Sequence, residues 1–258
     1  MASKTLGREE LKEHFKNGKI PTENHFACLI DSTINRQEDG FSKDEENGLL
    51  IKALGTSNRL ISFYRHAGDQ DPFFMMEKDV RAQSTIMRLQ AFTTEQEEAK
   101  RDAASFFLHT NGSMGLGAPC VDDIRLQVKG FAAMEGRIGN YMGGTIPADG
   151  KWHSIVEGLN NCQAMEVMAR AGMINTGRFA IMHAIAVSAF GTGHNSIRRT
   201  SAHYGYYWNR LRLRWKGKTH KYDLQLRTNS NYGKDVDIYY RITRLWDDAA
   251  FLPAECYH

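Results

Sequence analysis

The chain has 258 residues, 41% hydrophobic and 24% charged, enough apolar material for a packed core and not the composition of a solvating, disordered polymer. Its 33 Lys and Arg against 30 Asp and Glu leave a net charge of +3, which excludes a protein whose whole surface neutralises nucleic-acid phosphates. The balance is uneven: residues 1–130 carry 17 basic and 20 acidic side chains, whereas residues 131–258 carry 16 and 10 and all four tryptophans.

The first residues, MASKTLGREELKEHFKNGK, bring charges from Lys4 onward and lack the apolar run of a signal peptide, so synthesis in the cytoplasm without a signal peptide is expected. Residues 9–16 place Leu11 and Phe15 four apart and stop at Asn17-Gly18. Residues 21–36 place Phe26, Leu29, Ile30 and Ile34 on one helical stripe behind Thr22, whose hydroxyl suits an N-cap. A hairpin of two short helices cannot bury that stripe alone. Leu11, Phe15, Phe26, Leu29, Ile30 and Ile34 are therefore candidate attachment or oligomerisation residues.

From Gly40 the texture changes to short apolar runs at 49–51, 59–64, 73–76, 86–89 and 106–108, punctuated by Asn47-Gly48, Gly55, Gly68-Asp69 and Asn111-Gly112. These predict short strands. The acidic stretch 93–102 reads as a helical turn or a solvated loop. Residues 111–119, NGSMGLGAP, have neither the GKS/GKT ending nor the GxGxxG spacing of a phosphate loop, and predict a turn.

The apolar run 179–190 predicts a strand buried on both faces, with a buried helix as the alternative. Its surroundings, with two histidines and several glycines and serines up to residue 197, are too polar for a membrane span. Leu211, Leu213 and Trp215 alternate with Arg210, Arg212, Arg214 and Lys216, and Tyr222, Leu224 and Leu226 alternate beyond Lys216-Gly217-Lys218. Period two on both sides of a glycine turn predicts an antiparallel hairpin, and Ile238, Tyr240 and Ile242 a further strand. The expected fold is mainly β: an N-terminal helical hairpin (1–40), a short β-rich, shaft-like middle region (41–118), and a C-terminal antiparallel β-sandwich of jelly-roll-like type (119–258).

Chemical motifs are sparse. Cys28, Cys120, Cys162 and Cys256 are widely spaced and read as reduced thiols, and none of the ten histidines forms an HxH or HExxH pair. Glu157 with Glu166, or Asp247 with Asp248, could be imagined as an acid/base pair, but nothing in the sequence fixes their separation. No GxSxG elbow is present. No catalytic residue, metal or cofactor is expected.

The strongest candidate for a binding surface is 194–227, with nine Lys and Arg against the single acid Asp223. Arg210, Arg212, Arg214 and Lys216 would line one strand face, preceded by His203, Tyr206, Tyr207 and Trp208. Such a surface could hold an anionic glycan, a lipopolysaccharide or single-stranded nucleic acid through charge-assisted bonds and ring stacking. The competing reading, a hairpin with arginines on its wet face and aromatics in its core, stays open at this point.

Three blocks together resemble phage tail-fibre or adhesin-like proteins of phage tails and phage-like contractile injection systems. They are LKEHFKNGKIPTENHFACLIDSTIN, the turn NGSMGLG, and GRIGNYMGGTIPADGKWHSIVEGLNNCQAMEVMARAG. The resemblance implies a non-enzymatic structural and binding protein, attached by its N-terminal part to baseplate or tail proteins and homo-oligomeric, with a trimer as the expected order. Its C-terminal domain would recognise a cell-surface glycan or other anionic ligand, without membrane insertion and without nucleic acid as partner. Assembly into a tail-like particle and release with it would follow. The alternative is a free carbohydrate-binding or toxin-like protein acting on target cells.

Overall fold

In the computed structural model the described residues are 5–79, 86–95, 97–121, 123–191 and 193–257. They form a mainly β protein with two-, three-, five- and six-stranded sheets and few helices. The chain divides into two compact units, 1–133 and 134–258.

The first unit opens with α1 (Arg8–His14) and α2 (Glu23–Asp31), neither of which contains a buried residue. Thr22 occupies the N-cap of α2, where its backbone N–H donates to Nδ1 of His25 at 3.2 Å. Rings join the two segments: His14 stacks on His25 with centroids 4.1 Å apart, and Phe15 meets Phe26 edge-on at 5.6 Å. Phe26, Ile30 and Ile34 stay 51%, 65% and 65% exposed, so most of the stripe is uncovered among the described residues. A small antiparallel hairpin follows, β1 (Phe41–Asp44) with β2 (Gly48–Ile51).

Six strands then form one sheet: β3 (Arg59–Phe63), β4 (Phe74–Asp79), β5 (Ile86–Ala91), β6 (Ser105–His109), β7 (Met114–Leu116) and β8 (Leu126–Val128), in chain order. The acidic stretch contributes a helix, α3 (Glu98–Ala103). All neighbours are antiparallel except β7 and β8, which run parallel. That parallel return keeps residues 119–133, expected at the start of the C-terminal domain, within the first unit. A three-residue strand carries too little local pattern to announce such pairing from sequence.

The second unit has a five-stranded sheet, in the order β13 (Ser196–Tyr204), β12 (Phe179–Ala189), β11 (Cys162–Gly172), β16 (Asp237–Asp247) and β9 (Met142–Pro147). A three-stranded sheet has the order β10 (His153–Leu159), β15 (Lys221–Thr228) and β14 (Leu211–Lys218). Both sheets contribute to one apolar core. Met165, Val167, Met182, Ile238 and Ile242 come from the larger, and Val156, Leu211, Leu224 and Leu226 from the smaller.

β12 buries only alternate residues, among them Ala180, Met182, Ala184 and Ala186, while Ile181, Ile185 and Val187 lie 42–46% exposed on the outer face. This corrects the expectation of a strand buried on both faces: a strand in a sheet backed by one other sheet has a single inner face. The hairpin turn also moves. β14 continues through Gly217, paired with Tyr222, and the chain reverses at Thr219-His220. Gly217 is needed for contact instead of reversal, because a Cβ there would lie 2.4 Å from both the Lys221 carbonyl oxygen and Tyr222 Cα.

Candidate functional site

Leu211 and Leu213 point into the core, so Arg212 and Arg214 stand on the outer face of the three-stranded sheet. In the register of β14 with β15, Arg212 is opposite Arg227, Arg214 opposite Gln225, and Lys216 opposite Asp223. These positions have different surroundings. Arg214 Nε donates to Gln225 Oε1 at 2.9 Å, Gln225 Nε2 to Ser154 Oγ at 3.2 Å, and Ser154 Oγ to Asp223 Oδ2 at 3.2 Å. The Arg214 and Arg227 guanidinium carbons lie over the Trp152 ring, 4.2 and 4.5 Å from its centroid. The ring quadrupole thus attracts two cations of one face, each contact worth about 0.5–1 kcal/mol where partly exposed. Arg214 is held by the fold.

Arg210 and Arg212 have no carboxylate within ion-pair distance among the described residues, and Arg199 of β13 has none either. Burial, and then the like charges of Arg212 and Arg210, pull the Arg199 guanidinium below its ordinary range, although an arginine remains charged at any physiological pH. The structure therefore groups Arg199 with Arg210 and Arg212 as cations lacking a counter-charge. Period-two reading of 210–216 could not find Arg199, because it comes from a strand of the other sheet.

The turn before Arg210 presents three rings. Tyr206 stacks on Trp208 with centroids 4.7 Å apart and planes 10° off parallel, and Tyr207 meets Trp208 edge-on at 4.8 Å. They are 64%, 39% and 71% exposed in the order Tyr206, Trp208, Tyr207. The aromatics of 204–208 are thus on the surface, and the core reading does not hold for them.

Two features fix the turn. Asn209 is fully buried, its Nδ2 donating to the Tyr204 carbonyl at 3.0 Å and its Oδ1 accepting from Ser230 Oγ at 3.4 Å. Gly205 has φ +86°, where a Cβ would lie 2.6 Å from the Gly177 carbonyl oxygen. Arg210 N–H donates to the Trp208 carbonyl at 2.8 Å, tying the rings to the start of the basic row. His203 lies apart, lining a shallow depression of about 390 Å³ with Arg170, Phe179, Ile181 and Tyr204. Lys216, at the far end of β14, is exposed.

The imagined acid/base groups are engaged elsewhere. Glu166 accepts from Arg137 and pairs with His183 Nε2 at 2.8 Å. Asp247 accepts from Gln163 Nε2 at 2.9 Å and pairs with Arg244. Burial pushes the Asp248 carboxyl up, but hydrogen bonds from the Cys162 backbone and Trp246 Nε1, both 2.8 Å, outweigh it and hold the carboxyl below its usual range. Burial and the Asp248 charge push the Cys162 thiol up, the reverse of an activated nucleophile.

No family model matches the chain, and no curated protein matches it significantly.

Proposed function

We propose that the protein is a non-enzymatic binding component of a phage tail or phage-like contractile injection particle, and that its C-terminal domain recognises an anionic glycan surface. In this reading the helical hairpin of residues 1–40 attaches or oligomerises, and a jelly-roll-like sandwich serves as the recognition head. The observation that carries the recognition role is an exposed Tyr206–Trp208 stack on a rigid turn leading into Arg210 and Arg212, cations without counter-charges. Rings pack against sugar faces, while guanidinium groups take carboxylate, sulfate or phosphate substituents in bidentate geometry. The particle context is supported by the tail-fibre resemblance of the three sequence blocks.

The test uses heparin as a sulfated polysaccharide probe and dextran as its neutral counterpart. The chain should bind heparin in a salt-sensitive manner and dextran much more weakly. Replacing Arg199, Arg210 and Arg212 together by Gln should weaken heparin binding at least about tenfold, a loss of about 1.4 kcal/mol, with an unchanged circular dichroism spectrum. Unchanged affinity in that folded variant would overturn the site. Copurification with particles containing sheath and tube subunits supports the particle role; a chain recovered only free of them, from cells making such particles, favours the free effector.

A further inference from the structure

The six-stranded sheet turns its faces opposite to the usual way. Residues directly opposite each other on paired strands share a face. The registers therefore align Ile61, Met76, Leu89, Phe106, Leu116 and Val128 in one row across all six strands. A flanking row runs through Met87, Leu108, Met114 and Leu126 and begins at the exposed Lys78, whose ammonium ends the row in solvent. A third row joins Phe63, Phe74 and Ala91.

The opposite face is the closed one. It carries Glu77, Arg88, Gln90 and Ser105, all buried, with Arg88 bonded to Glu77 and to Asp102. Of the buried apolar side chains described in the first unit, Met75, Ile86 and Phe107 also lie on that closed face, and Pro72 precedes β4. The apolar rows stay open, with Phe63, Phe106 and Leu126 at 41%, 46% and 59% exposure.

We infer that this open face is an interface between copies of this chain, sheet packed against sheet. Among the described residues the first unit buries few apolar side chains, Met75, Ile86, Phe107 and Pro72, too few for the core of a unit of this length, and the missing apolar contact is what the open rows offer. Strands about 4.8 Å apart and rows about 7 Å apart allot about 34 Å² to each position, so the thirteen apolar positions of the three rows offer roughly 440 Å² per copy, or about 900 Å² over two copies, near the lower bound of a specific interface. A second copy suits the face because it brings the same apolar rows, whose one charged member among the described residues, Lys78, stands at the exposed end of the flanking row, so no unpaired carboxylate or guanidinium enters the contact. The inference is independent of what the C-terminal domain binds, and of whether residues 9–36 also join copies.

Methionine oxidation by dilute peroxide, read by mass spectrometry on the native full chain beside its sedimentation profile, tests it without mutation. Met114 of the open face and Met168 of the second unit are 37% and 43% exposed in the single chain, so they should react alike if both faces are free. The expected result is an oligomer in which Met114 is oxidised at least tenfold more slowly than Met168, the two becoming equal in urea. Leu116→Glu should dissociate the oligomer, while Phe26→Asp with Ile30→Asp should leave Met114 protected. A chain that is monomeric at all concentrations, or an oligomer in which Met114 reacts as fast as Met168, would overturn the inference. The second outcome would leave assembly through the helices standing.

Discussion

Arg214 and Arg210 belong to one alternating run, yet replacing them should have different consequences. Arg214→Ala removes the 2.9 Å hydrogen bond to Gln225 and the guanidinium 4.2 Å from the Trp152 centroid. A hydrogen bond of this kind contributes about 1 kcal/mol and the cation–π contact about 0.5–1, so the second unit should lose about 2 kcal/mol. Arg210→Ala removes no such partner and should stay within about 0.5 kcal/mol of the parent. Arg212→Ala relieves a like-charge pair with Arg227 and should be neutral or stabilising by a few tenths of a kcal/mol. The assay is urea unfolding followed by tryptophan fluorescence, which reports the second unit selectively because all four tryptophans lie beyond residue 134. A double-mutant cycle of Arg214→Ala with Trp152→Leu should return a coupling of about 0.5–1 kcal/mol. Equal urea midpoints and slopes for Arg214→Ala and Arg210→Ala would refute the distinction between fold-bound and ligand-ready arginines.

Two further outcomes are expected. Burial raises the phenols of Tyr222 and Tyr232 to about 12 from an ordinary value near 10, so the folded chain retains protons that the unfolded chain releases between those pH values. Their stabilisation is present below pH 10 and is lost as pH rises toward 12, by about 2 to 3 kcal/mol for each tyrosine; Tyr222→Phe should roughly halve the fall, and a flat profile across that window would contradict it. In the first unit, Arg88→Met leaves the buried Glu77 with Arg101 at 3.3 Å as its remaining cation and should cost about 3 kcal/mol or more. Amide exchange should accelerate throughout β4, β5 and β6 while tryptophan fluorescence stays unchanged, and unaltered exchange would contradict the role assigned to the cluster.

What the sequence made legible was local periodicity. Leu211, Leu213, Tyr222, Leu224 and Leu226 alternate in the chain and are buried in the structure, because an antiparallel hairpin with one inner face writes its burial directly into period two. The aromatic turn was also legible, as a cluster. Trp152 and Arg199 were not legible as members of the site. Their places depend on β10 pairing with β15 and on β13 lying in the other sheet, and both relations join residues far apart in the chain. The engagement of Arg214 is likewise a property of the sheet: in the sequence it is indistinguishable from Arg210 and Arg212.

The middle region illustrates a different limit. Alternation along residues 74–79 states that Met76 and Glu77 face opposite ways, but not which side meets the core. The ordinary rule sends the carboxylate to water. Here Glu77 meets Arg88, Gln90 and Arg101 within hydrogen-bonding distance, and such a satisfied network can be buried at modest cost. The apolar parity is thereby displaced to the open side. In the second unit the same ambiguity is resolved by a second sheet, which covers one parity of β11 and β12. In the first unit the apolar parity of β4, β5 and β6 stays half-buried or exposed among the described residues, and in the inferred interface a second copy of the chain covers it.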